Sequence, residues 1–201
     1  MKLTTLLFVL VSLTTQAQIS QGRWQVSADL SDFSYKVNDA NTSFSGQLTP
    51  AIGYVLVQNL VAGVGLSLNH YSTSTTTVFR EHTSSIGASP YIRYYVGKAP
   101  LKPFVGISYS FFTNKDTFTI YGGAVESYSR TFSSNALTPA LGLAYFLNNR
   151  FALQASLHYV MYMNEAGGPV GLSGPNTSFL PGRSNHQDLS LGLGIQFLLG
   201  R

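Results

Sequence analysis

The chain has 201 residues, enough for one domain once any targeting segment is set aside. Only 10% of its residues are charged, 12 Lys and Arg stand against 8 Asp and Glu, and cysteine is absent. Disulfides and thiolate metal sites are thereby excluded, and the positive balance is too slight to point to a nucleic-acid partner.

Met1-Lys2 is followed by an almost unbroken apolar run, Leu3 to Leu13, and then by Thr14-Thr15-Gln16-Ala17. The run is short for a membrane helix, which needs ~20 apolar residues. Charge, apolar stretch and small residues in that order are the pattern of a secretory signal. Cleavage is expected after Ala17, which makes residues 1–17 a leader and residues 18–201 one mature domain.

From there the apolar residues alternate. Trp24, Val26, Ala28 and Leu30 are separated by Gln25, Ser27 and Asp29, the two-residue period of a strand with one apolar face. The same period predicts strands over Arg23–Asp32, Phe44–Leu56, Leu60–Tyr71, Ser85–Val96, Pro103–Phe112, Ala136–Phe146, Phe151–Tyr162 and Asp188–Leu198. Their connections alternate as well. Val57–Asn59, Gly97–Lys102 and Leu147–Arg150 are short, whereas Phe33–Ser43, Ser72–Ser84, Thr113–Asn135 and Met163–Gln187 are long and polar. Short turns on one side and long loops on the other, in a chain poor in charge and rich in Gly and aromatics, predict an all-β fold. It is an antiparallel up-and-down transmembrane β-barrel of about eight strands, with its long loops at the outer surface.

Three descending strands share a phrase. Leu48-Thr49-Pro50-Ala51-Ile52-Gly53 resembles Leu137-Thr138-Pro139-Ala140-Leu141-Gly142, and Ala88-Ser89-Pro90-Tyr91-Ile92 lies between them in the same role. A proline in a ladder forfeits a backbone donor and belongs at an edge or a bulge. The repetition implies a tolerated local device whose nature the sequence leaves open.

The apolar face of each strand carries no charge. Trp24, Tyr54, Tyr94, Tyr145, Phe151 and Phe197 fall on that face beside the short turns, and Phe111 and Tyr159 fall on it near the long loops. Two aromatic rings bounding an apolar band are expected at the two headgroup layers, so this face is assigned to lipid. The opposite face holds Asp29, Arg93, Gln154, Ser156, His158 and Gln196 among many glycines, as the narrow interior of such a barrel requires. Asp29 and Arg93 are expected to be partners, because an isolated charge there is strongly disfavoured. A soluble lipocalin-like barrel would reverse the two faces, and it would have no reason to sort its aromatics to the strand ends.

Signals for chemistry are sparse, and no catalytic, cofactor-binding or metal-ligating residue is assigned. Gly63-Val64-Gly65 lies in an alternating strand with no helix behind it, which suits barrel curvature better than phosphate binding. His70, His82, His158 and His186 are scattered, and a metal site would need carboxylates beside them. The sharpest enzymatic reading takes Ser156 and His158 on one face of the seventh predicted strand, with Glu165 following, as a Ser-His-acid group acting on lipid A. Residues two apart on a strand stand ~6–7 Å apart, and both side chains are assigned inward. A polar lumen layer is therefore preferred to a catalytic cluster, and also to a proton or ion pathway past Asp29 and Arg93.

On these residues the chain resembles the OmpA/OmpX-type eight-stranded outer-membrane barrels, and more closely the outer-membrane β-barrel proteins of Bacteroidetes. The resemblance is carried by the Ala-Gln leader ending at Gln18, the Leu-Thr-Pro-Ala-Ile-Gly-Tyr phrase from Leu48 and the Asn59-Leu60-Val61-Ala62-Gly63-Val64-Gly65 turn. Leu101-Lys102-Pro103-Phe104-Val105-Gly106 and the final amphipathic strand, with Phe197 as its aromatic, complete it. It implies export to the periplasm, insertion by the barrel-assembly machinery, and residence in the outer membrane of a Gram-negative cell among its lipids and lipopolysaccharide. Its loops would serve an unidentified extracellular partner. A scaffold without an open pore is expected, with no cofactor. Because the chain stops at Arg201, no cell-wall-binding domain is expected to follow the barrel.

Overall fold

A computed structural model describes residues 19–37, 41–75, 79–122, 124–163 and 187–200. The predicted leader, Glu165, His186 and the greater part of the segment Met163–Gln187 lie outside these residues. The strands are β1 (Trp24–Val37), β2 (Asn41–Val57), β3 (Leu60–Thr75), β4 (Phe79–Tyr95), β5 (Leu101–Gly122), β6 (Ala124–Phe146), β7 (Phe151–Met163) and β8 (Gln187–Leu199). Each pairs antiparallel with the next, and β8 returns to β1, so the sheet closes into a barrel.

At the short-turn end the predicted and observed strand ends agree within about two residues. At the other end they differ. Most of what reads as the long loops Phe33–Ser43, Ser72–Ser84 and Thr113–Asn135 is continued strand, and the β5–β6 ladder runs without interruption from Leu101↔Tyr145 to Gly122↔Ala124. Alternation is the signature of a strand with one wet and one dry face. A ribbon that is polar on both faces has no reason to alternate apolar with polar residues, although Thr113, Thr117, Thr119 and Thr131 retain the β-branching that favours extended backbone.

The shared prolines have a common geometry. Pro50, Pro90 and Pro139 each keep their register partner on the preceding strand: Ala28, Val64 and Ile107. Toward the following strand the ladder skips the proline and the residue before it, then resumes in the same register, from Leu48↔Leu68 to Ala51↔Gly65 in the first case. The same gap separates Ala88↔Phe111 from Tyr91↔Ser108 and Leu137↔Met161 from Ala140↔His158. The missing N–H thus interrupts one ladder locally, without a bulge and without moving any side chain to the other face. A true register shift occurs elsewhere, in β1 between Ser31 and Ser34, where Asp32 adopts a left-handed backbone (φ 55°).

Bulky side chains enter the narrow interior where the neighbouring strand has none. Tyr91 lies opposite Gly63, Phe112 opposite Gly87, and Phe104 opposite Gly142. A β-carbon at Gly63 would stand 2.8 Å from the Tyr91 ring, and one at Gly142 would stand 2.6 Å from a Phe104 ring carbon. Glycine at these positions makes room for an aromatic ring in an interior that side chains already fill.

Candidate functional site: the outer face and the lumen

The outer face is apolar over a defined height. On β5 the outward residues run Leu101, Pro103, Val105, Ile107, Tyr109 and Phe111 before the first charge, Lys115. At ~3.3 Å per residue and a tilt of ~40°, Leu101 to Phe111 covers roughly 25 Å, the height of the apolar band of outer-membrane barrels. Leu189, Leu191 and Leu193 on β8 are 61–68% exposed. Every strand carries at least one such exposed Leu or Ile, Ile86 and Ile92 on β4 among them, and an apolar girdle of this kind suits a solvent other than water.

Of the aromatic residues singled out in the sequence, Trp24, Tyr54, Tyr94, Phe197, Phe111 and Tyr159 are exposed, and Tyr145 and Phe151 are partly so. Trp24 packs edge-on against Tyr54 with ring centroids 5.1 Å apart, and Phe151 meets Phe197 at 4.8 Å, both pairs at the short-turn end. Phe111 stacks edge-on with Tyr109, at 4.9 Å, toward the other end.

The lumen is layered. At the short-turn end Ile19, Val55, Val61, Phe104, Phe146 and Leu198 form an apolar plug, each at most 2% exposed. Two cations clasp its rim through backbone carbonyls: Arg23 donates to Asn149 O (2.8 Å) and Leu198 O (3.0 Å), and Lys102 donates to Gly97 O (2.8 Å).

Above the plug lies a hydrogen-bonded polar layer that holds four of the residues singled out as lumenal. Gln154 joins two of them, donating from Nε2 to Asp29 Oδ1 and accepting at Oε1 from Arg93 (2.8 Å). Arg93 and Asp29 stand 3.9 Å apart, and the guanidinium lies 4.4 Å from the Phe104 ring centroid. Tyr95 OH connects this group to Gln196, donating to its Oε1 at 2.7 Å, and accepts from Gln25 Nε2 at 2.9 Å. Nothing in the sequence sets Tyr95 apart. It shares the parity of Arg93 and is masked by its neighbour Tyr94, which belongs to the outer face.

Higher still is a cavity of about 90 Å³ lined by Ser27, Thr49, Ser108, Thr138 and His158 together with larger side chains such as Tyr91, Phe112 and Tyr162. Ser67, Ser89 and Ser110 form a hydroxyl chain on its wall with 2.8 Å links. Ser156 and His158 are in contact here, Oγ to Nε2, at 2.7 Å, which corrects the separation expected from the strand repeat. Backbone positions ~6–7 Å apart still let an imidazole fold back onto a hydroxyl. Ser156 is 3% exposed and points inward. Asp29, a carboxylate of the same lumen, bonds to Gln154.

A second ion pair, buried on its acidic side, lies in the strand extensions. Asp116 accepts from Arg130 at 2.7 Å and from Thr83 at 2.8 Å, and Asn114 bridges Ser85 and Ser134 beside it. Sequence reading misses these residues because they fall in a segment without alternation. Among the described residues no three His, Asp or Glu side chains converge on a metal position.

A closed eight-stranded barrel with an apolar outside and a polar, charge-paired inside is the architecture of a transmembrane β-barrel. The chain belongs to the outer membrane protein beta-barrel domain family, whose model matches residues 3–197. Among solved structures it is similar to Ail, the attachment invasion locus protein of Yersinia pestis, at 12% identity and a TM-score of 0.51, covering 89% of this chain and 99% of that one. Neisserial surface protein A (17% identity, TM-score 0.49, 90% and 96% covered) and a major outer membrane protein from Thermus thermophilus (18%, 0.47, 89% and 99%) are also similar. These likenesses concern the fold alone. No curated protein sequence matches the chain.

Proposed function

We propose that this outer-membrane barrel is a scaffold without an open pore, exported through a leader cleaved after Ala17, which carries a tall β-ribbon and its connecting loops above the membrane. The observation that carries the reading is the plug: Val61, Phe104, Phe146 and Leu198 are at most 2% exposed at one end of the lumen, beneath a hydrogen-bonded Asp29–Gln154–Arg93 layer. Water and ions meet a dry stopper there. The lipid-facing role of the aromatic residues, insertion by the barrel-assembly machinery and an extracellular partner for the loops belong to the same proposal.

A lipid A-modifying enzyme is the second reading, and the Ser156–His158 contact is what favours it. Against it, both groups lie inside the barrel, whereas an acyl chain runs along the outside. Activation of serine also needs an orienting group on the histidine, and the Asp29 carboxylate is engaged by Gln154. Purified protein in planar bilayers is expected to give no stable conductance, and cells expressing Ser156→Ala or His158→Ala to keep the lipid A acylation pattern of the wild type. Steady single-channel steps would overturn the closed scaffold, and an altered acylation pattern would overturn the non-enzymatic one.

A further inference from the structure

We propose that His70 and His82 form a two-imidazole site for a divalent transition-metal ion, Cu²⁺ above all, on the outward face of the β3–β4 extension. The site lies outside the lumen and takes no part in the closed-scaffold reading, so either can fail without the other.

Register brings together two histidines that the sequence leaves scattered. The apolar band on β2–β4 ends at Leu48, Leu68 and Ile86. In the next outward row His70 pairs with Ser84, and in the row above it Ser72 pairs with His82. The histidines are thus diagonal neighbours on one face, a spacing of ~7–8 Å that aromatic and long side chains bridge. Their rings meet edge-on with centroids 4.5 Å apart. Two imidazoles bound to one ion at ~2.0–2.1 Å hold their ring centres roughly 4.5–5 Å apart when the ligand angle is about 90–110°, so the pair already has the separation that a shared ion needs. Aromatic rings brace its other side. Phe33 and Phe44 pack at 5.6 Å beside Gly46, the residue opposite His70, and Phe44 meets the His70 ring at 6.0 Å.

The chemistry of the pair selects the ion. His82 Nε2 meets Ser84 Oγ at a long 3.4 Å, and the His70 ring makes no hydrogen bond among the described residues, so ring nitrogens are available as donors. The nearby carboxylates are turned away: Asp116 is buried with Arg130 on the inner face, and Glu81 shares the inner parity of β4. Lys115, which pairs with Ser84, and Arg80 are exposed on the face of the histidines. Hard cations such as Mg²⁺ and Ca²⁺ need oxygen ligands, usually carboxylates, and this face opposes them. Imidazole coordination can hold Cu²⁺, Ni²⁺ or Zn²⁺ against the same positive field, in an order that puts Cu²⁺ first. With two protein ligands the remaining positions fall to water, which makes the site open and exchangeable, unlike a four-ligand structural zinc site. A packing role alone would be served as well by phenylalanine.

The test is a titration of the full-length, untagged folded barrel in detergent with CuCl₂, read by equilibrium dialysis and electron paramagnetic resonance. Wild type should bind Cu²⁺ with a spectrum showing two imidazole nitrogens on one ion, Ni²⁺ and Zn²⁺ more weakly, and Mg²⁺ not at all. His70→Phe and His82→Phe keep the ring contact but remove its nitrogens, and each should weaken binding at least about tenfold. The double variant should be little worse than either, because chelation is lost with the first ligand. Lys115→Gln removes a neighbouring positive charge and should tighten binding about twofold. Equal Cu²⁺ affinity in wild type and double variant, losses that multiply between the two histidines, weaker binding by Lys115→Gln, or a wild-type spectrum with a single nitrogen would each overturn the proposal. The heat-modifiable gel shift is recorded in parallel, and the wild-type spectrum is decisive even where a variant fails to fold.

Discussion

The pair formed by Asp29 and Arg93 offers the most direct test of how the interior is held. The two groups stand 3.9 Å apart with side chains 11% and 12% exposed. At an effective dielectric of ~20 their attraction is about 4 kcal/mol, most of it offset by the desolvation of two ions. Losing one partner removes the attraction and leaves the desolvation. Arg93→Met should therefore cost about 3–5 kcal/mol, because Asp29 would keep Gln154 but lose its counter-charge. Asp29→Asn should cost a comparable amount, since it strands the guanidinium above Phe104. The double substitution removes both charges and should cost far less than the sum, with a coupling of at least about 2 kcal/mol. Urea midpoints in lipid vesicles, followed by the gel shift on heating, supply all four corners of the cycle. Single-variant costs below about 1 kcal/mol, or costs that simply add, would refute the claim that burial makes these charges interdependent.

Two further outcomes are expected. Leu193→Arg places a cation on the outward face at 61% exposure and should cost about 2–4 kcal/mol in bilayers, while Ser108→Asn on the cavity wall should stay within ~0.5 kcal/mol; equal urea midpoints for Leu193→Arg and wild type would remove the lipid-facing assignment. Glu81, in the extension above the band, is held above the usual carboxylate range, first by burial and then by Asp116, with Arg130 opposing. A raised carboxyl favours the folded ribbon while protonated, and that contribution is lost as pH rises through its folded value. Amide exchange at Thr83 and Thr117 should thus be equal in wild type and Glu81→Gln in acid, and slower in Glu81→Gln at neutral pH; a pH-independent ratio would contradict this.

The alternation of Trp24-Val26-Ala28-Leu30 or Leu189-Leu191-Leu193-Ile195 was sufficient, read alone, to establish strand class, approximate strand number and which residues share a face. The reason is physical: in a sheet the side-chain period is two, and a barrel in lipid must keep every outward position apolar over the band. Short turns were legible for the same reason, since the pattern breaks there. Alternation carries no information about height or reach across the lumen. It could not show that Tyr95 links Gln25 to Gln196, that Gly63 and Gly142 sit opposite Tyr91 and Phe104, or that Ser156 touches His158. The cross-strand contacts depend on the register between strands, and several join residues more than 60 positions apart in the chain, whereas the Ser156–His158 contact within β7 depends on how the imidazole folds back along its own strand. The extensions of β3 to β6 were illegible for a different reason. With polar residues on both faces, Ser, Thr and Asn serve as well as any residue, and only ladder pairing with a neighbouring strand decides that such a segment is sheet and not loop.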